Sequence, residues 1–445
     1  MLPPVKDIRL LAEALQWVLR AGSDQANQEC PVVVRRRKFD ARLLAQTLVL
    51  GFWREPKATT AQLAQTACEL GCRVSPQAID QRCGQAASAF LKCLLLHSVQ
   101  KRITSAGSTS WLNRFSAVEL LDSTTLTLPA PLRHLWQGCS STAGPTAALK
   151  VQVCLDFLHG GMRWELRPGV ENDQRTSLKT DNLQPNALHV RDLGYFDLDV
   201  LKTIADKQAY FVSRLQDGTA LYDDDGKRLD LAKLLRTCKK GAVDMPILAG
   251  KTMRVPMRLI TLRLPKAIAK QRRVNLRAKG RKKGYQPKPE TLELRGWSIY
   301  VTNASSAQLS VAQVQALLRL RWQIELLFKL WKSYSGLEDT RSKDPWRVLC
   351  ETYAKLLAAL LQHWLMVTAH WQKLNRSWFK AAQVIRNWVT VLTLALKVTS
   401  QLTACLERVC EIVKQVAHTN SRRKHPAAFQ VIEDPESNGY QNVTS

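Results

Sequence analysis

The chain has 445 residues, 45% of them hydrophobic, enough for two or three domains with real cores and too apolar for a disordered or fibrous protein. A formal net charge of +28 opposes compaction by self-repulsion and suits a polyanionic partner, DNA or RNA, rather than a basic one. Eleven cysteines, an odd number with no zinc-finger spacing, read as thiols in a reducing compartment and not as a disulfide framework.

The opening MLPPVKDIRL holds no apolar signal region. The longest apolar stretch, LLAALLQHWLMVTAHW, is interrupted by Gln362, His363 and His370, so a soluble, cytoplasmic protein is expected. Residues 1–110 read as helices. The segment 41–53 is amphipathic, 59–71 opens on a threonine cap and closes at a glycine, and 75–97 reads as one long helix. The glycine-containing turn before SPQAIDQR resembles a helix-turn-helix, a layout that ordinary helical hairpins share.

Strand patterns begin after residue 115. AVELLD (117–122), LKVQVCLDFL (149–158) and MRWELRPG (162–169) come first, the last two joined by an HGG hairpin turn. LHVRD (188–192), a helix over 196–208 and AYFVSRL (209–215) then suggest an α/β layered sheet. From 216 to 302 the pattern breaks into strands at 256–264 and 292–303. Between them KAIAKQRRVNLRAKGRKKGYQPK (266–288) carries ten basic residues and no acid. This block reads as a β-rich insertion with a mobile basic loop that contacts phosphate. After 304 the chain is helical again until 421–445, which loses its periodicity and reads as a disordered tail.

Two acids, Asp122 and Asp192, end short strands, where a sheet opens its carboxyl edge. Asp192 also fits a helix cap or turn, and Asp156, Asp197 and Asp199 compete with both. A third acid lies in RLRWQIELLFKLWK (319–332). With Arg321 at zero on a helical wheel, Glu325 falls near roughly 40° and Lys332 near roughly 20°. A charged stripe thus runs along an otherwise apolar helix, whose Trp322 and Trp331 read as core. A buried carboxylate must be paired or bind a metal, although the same spacing also gives an ordinary solvated i,i+4 pair.

Four stretches together resemble a family. Arg321-x3-Glu325-x6-Lys332, LLDSTTLTLP, VRDLGYFD and AYFVSRL are similar, in order, to motifs of bacterial DDE transposases of the insertion-sequence family four group. That family's third motif reads Tyr-x2-Arg-x3-Glu-x6-Lys, and Leu318 stands here in place of the tyrosine. The resemblance covers residues 40 to 400. It implies an α/β fold: a ribonuclease-H-like mixed sheet flanked by helices, interrupted by a β-rich insertion, with helical N- and C-terminal regions. The implied regions are 1–110 for DNA-end binding, 111–215 and 303–344 for the core, 216–302 for the insertion, 345–420 helical, and 421–445 as tail.

The resemblance further implies that Asp122, Asp192 and Glu325 are catalytic and ligate two Mg²⁺ ions, with Mn²⁺ as a substitute. Arg321 and Lys332 would hold phosphates, Arg214 would contact DNA near the cut, and Trp297 would stack a flipped base. The implied reaction is cut-and-paste transposition: strand cleavage at the transposon ends, then transfer into target DNA, by a homodimer on terminal inverted repeats, nucleoid-associated when bound. The alternative is a decayed or repurposed transposase that only binds DNA, which Leu318 favours and the intact acids disfavour. A nuclease of the same fold that cuts without joining is a third reading.

Overall fold

The alternating and apolar segments of the middle of the chain form nine strands among the residues that the computed structural model describes, 5–32, 39–105, 107, 110–140 and 144–439. They are β1 (Val118–Leu128), β2 (Ala147–Asp156), β3 (Met162–Pro168), β4 (Leu188–Arg191), β5 (Tyr210–Arg214), β6 (Leu221–Tyr222), β7 (Ala242–Ala249), β8 (Val255–Arg263) and β9 (Trp297–Thr302). The chain divides into two compact units, each built from three separated stretches.

One unit comprises 110–122, 173–323 and 420–445. Its strands follow the order β1-β4-β5-β9-β8-β7-β6. β1, β4 and β5 run parallel and the remaining pairs antiparallel, which makes the sheet mixed. The helix Leu198–Asp206 supplies the crossover between β4 and β5 that parallel strands require. Its Val200, Leu201 and Ile204 share an apolar cluster with Phe211, Leu259 and Val301. The strands of the 216–302 segment extend this sheet, since β9 pairs with β5 at Val212↔Thr302.

Two expectations fail in this unit. The basic segment is a helix, Lys266–Lys282, and not a loop. Its alanine, leucine, lysine, arginine and glutamine residues all favour helix, and with only Ala269 and Gly280 buried it holds its cations outward. The expected disordered tail also contains two short helices, Ala428–Glu433 and Pro435–Gly439. Phe429, Val431 and Ile432 are buried, and the Trp111 indole donates to the Ile432 carbonyl at 2.7 Å. Three apolar side chains suffice to dock so short a segment, which a long-window periodicity misses. Residues 440–445 of that tail lie outside the described residues.

The other unit comprises 1–109, 123–172 and 324–419. Its axis is the helix Pro345–His370, buried at every position from Val348 to His370. The helices Ala41–Arg54, Gln85–Ser98, Trp378–Ala395 and Thr399–Val416 pack around it. Such all-round burial explains a helix that is apolar on every side. The β2–β3 hairpin docks on it through the HGG turn. Gly160 has φ +80°, and a Cβ there would lie 2.6 Å from Val367 Cγ2. The Gly160 carbonyl lies 2.7 Å from His363 Nε2, and the Trp371 indole donates to the Phe157 carbonyl at 2.9 Å.

The expected single helix over 75–97 is two, Pro76–Asp80 and Gln85–Ser98. Ser75 caps the first by accepting from the Ala78 N–H, and Gly84 starts the second. Among the described residues no helix is both long and apolar enough to cross a membrane.

Candidate active site

Asp122 does not end its strand. β1 runs on to Leu128 because STTLTL alternates, with β-branched threonines between leucines, and Leu126 and Leu128 face inward. The parallel register pairs Val118 with Leu188 and Leu120 with Val190. Continued two residues, it sets Asp122 beside Asp192, which directly follows β4. Asp192 precedes the turn Leu193–Tyr195 without capping it through its side chain, so the helix-cap reading of this acid is not realised.

Arg321 joins the two acids. Its Nη1 donates to Asp122 Oδ2 at 3.0 Å, and its Nε lies 4.0 Å from Asp192 Oδ1. Two carboxylates that would repel each other thus share one guanidinium. The arginine side chain is 13% exposed, the aspartates 21% and 35%, so both acids remain open to solvent and ions. Two of the competing acids, Asp156 and Asp197, do structural work. Asp156 accepts from the Leu158 N–H and lies 2.7 Å from His159 Nδ1 inside the hairpin turn. That hydrogen bond raises the His159 pKa. Asp197 caps the Leu198–Asp206 helix through the Asp199 N–H.

Arg321 separates two helices, Val311–Leu320 and Trp322–Lys329, and itself keeps helical backbone angles. Glu325 is half-buried four residues later, and belongs to the other compact unit. A π turn, Leu330–Tyr334, follows and carries Lys332. Lys332 donates to the Thr125 carbonyl of β1 at 2.8 Å and pairs with Glu338 at 2.7 Å. Trp331 is fully buried, with ring centroids 4.7 Å from Trp164 and 5.7 Å from Phe328. Trp322, expected in the core, is 56% exposed. It shares an outward face with Lys329 and Ser333, seven and eleven positions on, because a helix covered on one side leaves the opposite side to water.

Arg214 is exposed at the end of β5. Burial first, then repulsion from the Arg214 guanidinium, lowers the Arg272 pKa. Trp297, at the start of β9, is 4% exposed, with the Arg263 guanidinium 4.8 Å from its ring centroid.

Sequence reasoning missed a polar row on the opposite face of β1 and β4. Glu119 faces His189 at 3.2 Å, and His189 Nδ1 lies 3.2 Å from Arg191 Nη2. Arg191 is 1% exposed and also donates to the Lys179 carbonyl at 3.1 Å. This network anchors the residue immediately before Asp192 and so fixes where that carboxylate leaves the sheet. The available signal was the H-x-R alternation in LHVRD, two polar side chains on one face of a strand otherwise apolar.

A mixed sheet flanked by helices, with paired acids on adjacent parallel strands, is the arrangement of a ribonuclease-H-like domain. Residues 114–361 match the transposase DDE domain, more than half of the chain, and the protein belongs to that family. It is 26% identical over 460 residues to the transposase for insertion sequence element IS231E of Bacillus thuringiensis subsp. finitimus, covering 96% of this chain and 95% of the relative. It is 27% identical over 433 residues to the transposase of element IS231B of Bacillus thuringiensis subsp. berliner, covering 90% of each. The transposase of element IS1151 of Clostridium perfringens is 27% identical over 339 residues, covering 70% of this chain and 71% of that one.

Proposed function

We propose that this protein is an insertion-sequence transposase of the family four group, which cleaves strands at the ends of its element and transfers them into target DNA. The observation that carries the reading is the sharing of Arg321 by Asp122 and Asp192 on adjacent parallel strands of a chain with net charge +28. Membership of the DDE family and relatives named as transposases support the same class.

Asp122, Asp192 and Glu325 are the proposed ligands of two divalent ions. The donors are carboxylate oxygens, which suit Mg²⁺ and, in its place, Mn²⁺. The two aspartates already accept cationic charge from a guanidinium, which supports the fit. When bound, such ions activate an attacking oxygen and stabilise the leaving one in displacement at phosphorus. Arg321 then exchanges its carboxylate partners for a DNA phosphate, which its planar fork accepts in bidentate fashion. Lys332, tethered to the Thr125 carbonyl, adds a point charge. Arg214 and the cations of the Lys266–Lys282 helix track the backbone, a sequence-independent contact. Trp297 serves as a stacking platform only after Arg263 leaves its ring. Joining two ends requires a paired complex, so the working form on DNA is a homodimer.

The test is incubation with DNA carrying the element's terminal inverted repeats and Mg²⁺, comparing the wild type with Glu325→Gln. The wild type nicks, while the variant binds equally well and does not cut. Equal nicking by both removes Glu325 from the site. Binding without cutting by either replaces catalysis with DNA binding alone.

A further inference from the structure

A second cluster of ligating side chains lies far along the chain from the acids, among the N-terminal helices. Glu29 is the last residue of the helix Ala21–Glu29, and Cys30 follows it. Cys93 and His97 lie one turn apart on the helix Gln85–Ser98 and therefore face the same way. Cys93 Sγ is 3.3 Å from Glu29 Oε2 and 3.8 Å from His97 Nε2, and His97 Nε2 is 3.1 Å from the same Glu29 oxygen. Among the described residues this is the group of His, Cys, Asp or Glu side chains whose ligand atoms close to a metal-sized triangle.

The size of that triangle is informative. Tetrahedral zinc, with Zn–S near 2.3 Å and Zn–N or Zn–O near 2.0–2.1 Å, sets its ligands roughly 3.3–3.6 Å apart. The three observed edges scatter around that range. The other Glu29 oxygen is engaged by Gln25 at 3.4 Å, which steadies the carboxylate with Oε2 turned inward. The Cys30 thiol is a side-chain hydrogen-bond neighbour of Cys93, which makes it the nearest candidate for a fourth ligand. The orphaned His97 Nδ1 can hold the ring proton, which leaves the Nε2 lone pair facing the cluster.

We propose that Glu29, Cys93 and His97, with Cys30 as fourth ligand, bind a zinc-class divalent cation that staples the helix Ala21–Glu29 to the helix Gln85–Ser98. Thiolate and imidazole donors select such an ion over Mg²⁺, so this site is chemically distinct from the three-carboxylate one. Binding releases the thiol proton to solvent as the metal–sulfur bond forms.

The experiment uses the full chain, stripped of metal with a chelator and titrated with Co²⁺ under reducing conditions. A sulfur-to-cobalt charge-transfer band reports only a thiolate site, so carboxylate-bound ions are silent. The wild type should develop the band, saturating at about one cobalt per chain, lose it on adding Zn²⁺, and keep it in excess Mg²⁺. Cys93→Ser should weaken it and Cys30→Ser combined with Cys93→Ser should abolish it, whereas Cys68→Ser, at an exposed thiol on another helix, should leave it intact. His97→Gln keeps the sulfur and should shift the titration to higher cobalt. Matching far-ultraviolet dichroism of the stripped variants and stripped wild type excludes misfolding as the cause. No band in the wild type, or an unchanged band in Cys93→Ser or unchanged titration in His97→Gln, overturns the site.

Discussion

The interior around the Pro345–His370 helix and the acid edge of β1 and β4 use charged and titratable groups in opposite ways. In the interior such groups are tied to fixed carbonyls. Lys355 is 1% exposed, donates to the Gly336 and Asp339 carbonyls, and pairs with Glu351 at 2.7 Å. Burial raises the Glu351 pKa and lowers that of Lys355. His363 and His370 sit against the Gly160 and Met366 carbonyls, and burial pushes both down to about 4. At the acid edge, Asp122 and Asp192 share the Arg321 guanidinium and stay open to water. Groups bound to backbone have one arrangement, whereas groups bound to mobile side chains can trade partners for a metal ion or a phosphate.

That contrast is sharpest in the expected size of its failures. Asp122→Asn removes a proposed metal ligand and should cost about 5 kcal/mol of transition-state stabilisation, roughly 10⁴-fold in cleavage. The urea midpoint should hardly move, and a large fall there would give Asp122 a structural role instead. Lys355→Met should do the reverse. It strands a buried carboxylate and should lower folding stability by about 3–5 kcal/mol, read from urea unfolding at pH 7.

The histidines predict a pH window. Their folded pKa of about 4 lies below the ordinary 6.5, so the unfolded chain takes up protons first on acidification. Their stabilising contribution is complete above pH 6.5 and is lost as pH falls toward 4. Each should lose about 2 kcal/mol by pH 5, and a flat urea midpoint between pH 7 and pH 5 would contradict neutral burial. Smallest is Arg321→Ala, which takes the shared cation from the two aspartates in a partly exposed place. A loss of about 1–2 kcal/mol is expected without metal, and Mg²⁺ should restore part of it. No rescue by Mg²⁺ would mean that the aspartates do not exchange one cation for another.

Much of the strand layout was legible because alternation is a local signal. β2, β3, β4, β5 and β8 lie within two residues of their sequence positions at both ends. The proximity of Asp122, Asp192 and Arg321 could be anticipated only by pattern over two hundred residues, since nothing local distinguishes Asp122 from Asp156. The misses are those in which tertiary context decides. Trp322 reads as core by its chemistry, but the side of a helix that gets covered depends on what lies above it. The basic segment reads as a loop by charge, although its residues individually favour helix. Glu119, His189 and Arg191 become meaningful only once β1 and β4 are side by side, as their register shows.

The partition of each unit among separated stretches has a consequence for synthesis. The helices ending at Ser98 need Pro345–His370 to cover their apolar faces, and that partner leaves the ribosome about 270 residues later. At roughly 5–20 residues per second, the wait is on the order of 15–50 s. The nascent protein therefore presents sticky surface to the cell for most of its own translation, and holdase chaperones should set the yield of finished molecules more than the equilibrium stability does.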